Sequence, residues 1–218
     1  MVDPQHDIAP YLEVADQKGM KITHIFETHI QADHLSGARR LAELTGATVA
    51  LHESADLRFP HYGLKDWEEI EVGNVRVTVL HTPGHTPEGI CLLVSDLTRG
   101  PEPWFVLTGD TLFSGAVGRP DLLGEEAGRD LAGQLYESLH RRLLTLPDYV
   151  EVYPAHFGGA ACGKGLSGKA ASTIGFERRW NPALRLGAKD EFVRFTLAEL
   201  PAQPESFAAN RRVNQGIE

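Results

Sequence analysis

Apolar and polar positions alternate or recur along this chain in ways that outline its elements. Lys21 to Glu27 and Val75 to Leu80 read as strand-like runs, as do Gly89 to Val94, Trp104 to Leu107 and Tyr149 to Tyr153. Thr48 to Leu51 is a shorter strand, and Glu68 to Val72 pairs with Val75 to Leu80 across Gly73-Asn74, a two-residue hairpin signal. Asp7 to Lys18 predicts a helix stopped by Gly19. Leu35 to Thr45, with Leu41 and Leu44 at helical spacing, predicts a second helix, stopped by Gly46. Leu131, Leu135, Leu139 and Leu143 recur every four residues on a third, closed by Pro147, and read as core packing. Asp190 to Leu200 predicts a last helix with Phe192, Phe195 and Leu200 as candidate buried positions.

Four of the strand-like runs end in side chains that bind metals. Lys21 to Glu27 leads into Thr28-His29-Ile30-Gln31-Ala32-Asp33-His34. In extended backbone, His29, Gln31 and Asp33 share one side. Val75 to Leu80 leads into His81-Thr82-Pro83-Gly84-His85-Thr86, Trp104 to Leu107 into Thr108-Gly109-Asp110, and Tyr149 to Tyr153 into Pro154-Ala155-His156. Loops at strand ends are where a rigid sheet aims side chains at a common point. Imidazole and carboxylate at this density suit zinc or non-haem iron. Taken singly, each segment also reads as an ordinary polar turn, with Asp110 as a helix cap.

Together, in this order, the segments resemble the metallo-β-lactamase superfamily, whose motifs are T-H-x-H-x-D-H, G-H-T, a strand-end G-D and a late P-A-H. Gly118-Arg119-Pro120-Asp121 after Asp110, with Tyr153 to His156, is similar to its persulfide (sulfur) dioxygenase branch. The resemblance runs from about Val2 to about Asn181. Cys162 to Lys164 and Ser172 to Glu177 resemble bacterial members often fused to a rhodanese domain. The implied fold is an α/β protein, an αββα sandwich, over a single domain 1–218. Its first N-terminal strands are expected to be missing, since Asp3-Pro4 comes almost at once. That would bare a sheet edge and invite self-association into a homo-oligomer.

The resemblance implies a non-haem iron(II) enzyme that oxidises a glutathione-type persulfide with O2 to sulfite and the thiol. Its catalytic and metal-binding triad would be His29, His85 and Asp110, two histidines and a carboxylate with open positions. Gln31 stands where the family has histidine, which leaves that triad intact but weakens a dizinc site. Gln31, Asp33, His34 and His156 would form a polar shell or a second metal site. Arg119 is a candidate substrate anchor, or else a structural partner of Asp121. Thr86 either orients its loop or touches substrate. Cys162, near Lys164 and Lys169, is a candidate for accepting sulfane sulfur, or else an inert thiol. Small-molecule persulfide and O2 are the expected partners, with a separate rhodanese. Two alternatives stay open. One is a zinc-dependent thioester hydrolase of the glyoxalase II type. The other is a non-catalytic sulfur-carrier or partner-binding remnant.

Composition adds exclusions. The 218 residues have room for a sizeable core, and 42% hydrophobic with 23% charged residues is ordinary globular composition. A formal net charge of −9 argues against nucleic acid as partner. No apolar run is long enough to cross a membrane and no basic apolar leader is visible, so a cytoplasmic protein is expected. Two cysteines give no disulfide framework, and Cys91 in an apolar run reads as core.

Overall fold

The computed structural model describes residues 1–217. In chain order the elements are α1 (Ala9–Gln17), β1 (His24–Phe26), α2 (Ala38–Thr45), β2 (Thr48–His52), β3 (Tyr62–Leu64), β4 (Glu69–Val72), β5 (Val75–His81) and β6 (Ile90–Asp96). There follow β7 (Phe105–Gly109), β8 (Leu112–Phe113), β9 (Ala116–Val117), α3 (Glu125–Arg141), a 3-10 turn, β10 (Glu151–Pro154), β11 (Ser172–Thr173), α4 (Ile174–Trp180), α5 (Lys189–Leu197) and α6 (Ser206–Asn214). The chain forms two compact units, one of Met1–Leu64 with the residues from Pro204 onward, the other of Lys65–Gln203.

In the first unit β1, β2 and β3 make a parallel sheet in that order. Helix α2 is the crossover between the first two strands. Ile25, Val49 and Leu51 of the sheet pack with Leu41 and Ala38 of α2 and with Ile8 and Ile30. Burying each such side chain contributes roughly 1.5–3 kcal/mol. Leu44, expected on the same face as the buried Leu41, is exposed. Gly46 ends α2 in the left-handed region, φ 73°, and its N–H closes on Ala42. The helix begins three residues later than its pattern predicts, because Gly37 N–H is drawn to the Pro4 carbonyl instead. Likewise α1 starts at Ala9, whose N–H donates to the Asp7 carboxylate. Met1 to Asp3 line the outer edge of β1. Phe26 N–H donates to the Met1 carbonyl and Asp3 N–H to the Phe26 carbonyl, so this edge is covered rather than bare.

The second unit is built on a six-stranded sheet, ordered β11-β10-β7-β6-β5-β4, with β7 and β10 parallel and the other pairs antiparallel. The β4–β5 hairpin turns at Gly73-Asn74 with Val72 facing Val75, and Gly73 has φ 60°. Strand β6 is buried on both faces, which is why Ile90 to Val94 read as a nearly continuous apolar run. Cys91 is a core residue, and its burial pushes the thiol up to about 11. Leu131, Leu135 and Leu139 form the buried stripe of α3, and Leu143 continues it on the 3-10 turn. Phe192 of α5 joins the same core. Phe195, expected to be buried with it, is exposed, and Leu200 lies beyond the helix, half-buried. Among the described residues no helix is long and apolar enough to cross a membrane.

Candidate metal centre

The second unit brings together His85, Asp110, His156 and Cys162. His85 follows β5 in the loop to β6, and the loop lies hard against α3. Gly84 has φ 151°, and a Cβ there would collide with Leu135. Asp110 follows β7, whose end turns sharply as Thr111 N–H returns to Thr108. The parallel partner β10 holds the next segment in place, with Ala155 N–H donating to the Gly109 carbonyl. His156 is thereby set beside Asp110, and its Nδ1 donates to Asp110 Oδ1 at 2.7 Å. Cys162 is buried, and its Sγ belongs to one cluster of ligand atoms with Asp110 and His156, all within 4.8 Å of one another.

His85 and Asp110 are each 3% exposed. His85 Nδ1 lies 2.8 Å from the Arg119 carbonyl, which can only accept, so that nitrogen carries the proton. Its Nε2 then presents a lone pair to Asp110 Oδ2 at 3.3 Å. A neutral imidazole nitrogen and a carboxylate oxygen facing each other in a dry site form a donor set for a cation. Gly118 is required here by space. A Cβ on it would collide with the Asp110 carbonyl and lie 3.1 Å from His85 Cβ.

In the first unit His29, Gln31, Asp33 and His34 share one irregular loop after β1. His29 is 3% exposed. The Asp3 carboxylate accepts from Thr28 N–H at 2.7 Å and from Thr28 Oγ1 at 2.9 Å. With its only proton given to Asp3, Thr28 Oγ1 can only accept from His29 Nδ1, 2.9 Å away. The Nε2 atom of His29 is thus left as a ligand nitrogen, oriented by a Thr–Asp relay. His34 Nδ1 and Asp33 Oδ1 are 3.1 Å apart. Gln31 is buried, and neither atom of its carboxamide makes a hydrogen bond, while Ser36 Oγ donates to the Glu27 carboxyl. Burial, and then the nearby Asp3 charge, raise Glu27 well above the usual carboxylate range. A cavity of about 330 Å³ in this unit is lined by His29, Gln31, Arg39, Arg40 and Asn214, among others.

The guanidinium of Arg119, 2% exposed, makes a bidentate pair with Asp121 at 2.7 and 2.8 Å. Two further N–H groups go to the Ala161 and Pro201 carbonyls. Of the two roles its sequence context allowed, the pair with Asp121 is present. Thr86 is fully buried, and its backbone carbonyl accepts from Gly84 N–H to close the His85 loop. Sequence reading missed Glu177, buried, whose carboxylate accepts from Ser172 Oγ, Gly115 N–H and Asn181 Nδ2. It also missed β3, β8, β9, β11, α4 and α6, which are too short or too weakly periodic to announce themselves.

Residues 1–156 match the family model of the metallo-beta-lactamase superfamily. A crystal structure of a metallo-beta-lactamase from Staphylococcus aureus subsp. aureus COL is similar at 35% identity and TM-score 0.92, over 98% of this chain and 64% of that one. This chain thus spans under two thirds of the S. aureus protein's length. The mitochondrial persulfide dioxygenase ETHE1 of Homo sapiens is 28% identical over 206 residues, 89% of this chain and 69% of its own. The hydroxyacylglutathione hydrolase of Nitrosococcus oceani is 33% identical over 158 residues, 71% of this chain and 56% of its own. The strand-end histidines and aspartate, the sheets that carry them and the match over 1–156 all lead to one assignment: this chain belongs to the metallo-β-lactamase superfamily and has its fold.

Proposed function

We propose that the protein is a persulfide dioxygenase in which His29, His85 and Asp110 hold a single iron(II). The observation that carries this reading is the facing pair of His85 Nε2 and Asp110 Oδ2, with the other His85 nitrogen committed to a carbonyl. His29 enters the set through its motif, and its own relay leaves Nε2 as the ligand atom. Gln31 puts a neutral amide, a poor zinc ligand beside imidazole, where the family has histidine, which favours one metal of the two-histidine, one-carboxylate type over a dizinc pair. The similarity to human persulfide dioxygenase over 89% of this chain supports the same branch.

Iron(II), when bound, supplies the one-electron chemistry that O2 needs to react with a sulfur lone pair. The chain's own residues do the rest. Arg119, through its carbonyl, and Thr28 keep the two imidazoles in one tautomer, so no reorganisation is needed when ligands exchange. His156 Nδ1 donates a hydrogen bond to Asp110 Oδ1, so Oδ2, which faces His85 Nε2, is the oxygen that would hold the metal. Burial of all three ligands keeps bulk water from the reacting sulfur. The terminal sulfur of the persulfide takes both atoms of O2 and one oxygen from water, is oxidised by four electrons, and leaves as sulfite. The carrier leaves as its thiol. Arg39 and Arg40, which line the cavity beside His29, suit the carboxylates of a glutathione-like carrier. Cys162, whose Sγ is near Asp110 and His156, suits taking the sulfane sulfur of the incoming persulfide by exchange, its thiol becoming the persulfide as the carrier leaves as its thiol, and Cys162→Ala with unchanged products removes that role. A separate rhodanese is the partner this chemistry suits.

Oxygen uptake by iron(II)-loaded protein given glutathione persulfide tests the reading, with His85→Ala as control. Uptake with sulfite formation, lost in the variant, supports it. Iron-loaded protein that consumes no oxygen overturns it. The second reading, a zinc-dependent thioester hydrolase, draws on the Nitrosococcus relative and on the retention of Asp33, His34 and His156. Cleavage of a glutathione thioester by zinc-loaded protein would select it. Protein that retains no metal would select the non-catalytic remnant.

A further inference from the structure

Between Glu27 and Gly37 the chain has neither helix nor strand, only a single bridge from Ser36 to Gln5. Its peptide groups must nevertheless be satisfied, since buried backbone donors and acceptors are costly when left alone. One face of α6 does this. Asn214 Nδ2 donates to the carbonyls of Gln31 and His34, both at 2.9 Å, while its Oδ1 accepts from Ser36 N–H at 2.9 Å. Asn210, one helical turn earlier, donates to the Ala32 carbonyl at 2.8 Å. Arg211 reaches the Ile30 carbonyl at 3.3 Å. Five bonds from three side chains of one helix thus hold the backbone between residues 30 and 36. Helix α6 is itself seated by Phe207, buried, and by Arg58 N–H, which donates to the Gln215 carbonyl. It lies outside residues 1–156, which the superfamily model matches.

We propose that α6 is a clamp that sets the metal affinity of the His29 loop, with Asn214 as its principal positioning residue. This rests on His29 as a metal ligand. A ligand loop without regular structure must lose backbone freedom when metal binds, and that loss opposes binding. The α6 bonds impose that order beforehand, so the cost does not fall on metal binding. Asn214 carries most of the effect because it spans residues 31, 34 and 36 and so ties both ends of the loop's polar stretch. By linkage, metal binding must in turn hold α6 in place.

The test uses the full chain and the variants Asn214→Ala, Asn214→Asp and Asn210→Ala. Asn214→Asp keeps the acceptor for Ser36 but sets a carboxylate against two carbonyls. In metal-free protein, hydrogen exchange across residues 28–37 is expected to rise in the Asn214 variants and to stay unchanged in strands β5 and β6. Cobalt(II) and iron(II) titrations should show affinity reduced roughly tenfold to a hundredfold, least for Asn210→Ala. Metal should also slow exchange in α6 of the wild type. A helix that merely adds stability would lower the melting temperature and leave affinity and the cobalt spectrum unchanged, which overturns the proposal alone. Wild-type protein that binds neither metal overturns the His29 assignment and the proposal with it.

Discussion

His85 Nδ1 donates to the backbone carbonyl of Arg119 at 2.8 Å. The same residue's side chain turns away, to Asp121 and to two further carbonyls. Arg119 thus serves the candidate metal centre through its main chain, and its guanidinium fixes where that main chain lies.

Arg119→Met should accordingly act on stability before it acts on substrate. Asp121 is only part-buried, so losing the charge-assisted hydrogen bonds of Arg119 costs roughly 1.5–3 kcal/mol, and denaturant unfolding will show it. KM for a carboxylate-bearing persulfide should change no more than KM for a neutral one. Burial alone would raise the Asp121 carboxyl, but the Arg119 hydrogen bonds and charge hold it below its ordinary value. The stability this contributes is present above pH 3.8 and is lost as pH falls through the lower folded value. In the variant that acid limb should be reduced.

Arg40→Met should show the converse. Arg39 and Arg40 line the cavity beside His29, so their loss should raise KM for a charged persulfide several-fold with little change in melting temperature. Equal KM values for wild type, Arg39→Met and Arg40→Met would place the carrier elsewhere.

Gly118→Ala puts a methyl group onto the Asp110 carbonyl and close to His85 Cβ. One of the two ligands must move, and displacements near 1 Å cost on the order of a hundredfold in well-positioned sites. Metal content after dialysis and cobalt(II) titration should reveal the loss, even where circular dichroism is unchanged.

Thr28→Val removes the acceptor that fixes the His29 tautomer, whereas Thr28→Ser keeps it. Metal affinity should fall roughly tenfold to a hundredfold in the first and recover in the second. If valine binds metal as tightly as threonine, the relay has no part in ligation.

Cys91 should resist thiol reagents at pH 8 in the folded protein and react on unfolding. Its thiol is raised from 9.0 to about 11 by burial. The folded state therefore keeps its proton longer than the unfolded state does. The resulting stability is present below pH 9, falls as pH rises towards 11, and amounts to about 3 kcal/mol at most. Cys91→Ala should lose this alkaline slope in melting temperature.

Much of this was legible in the residues because it is local. Gly46 and Gly19 announce helix ends through backbone freedom, Gly73-Asn74 announces a hairpin, and β6 announces its double burial through unbroken apolar character. The strand-end positions of His29, His85, Asp110 and His156 were legible for the same reason, since periodicity marks where each strand stops. Side-chain direction was not. Whether Arg119 faces a substrate or Asp121 depends on loops around residues 161 and 201, some forty and eighty positions away. Leu44 and Phe195 fit a helical pattern yet face outward, because a pattern gives spacing and only packing selects the face. The clamp of Asn210 and Asn214 on residues 30 to 36 joins the two ends of the chain, nearly 180 positions apart. Local sequence determined the elements and the chemistry at their ends; the tertiary structure decided which polar groups satisfy one another, because hydrogen bonds between distant segments leave no periodic trace in the chain.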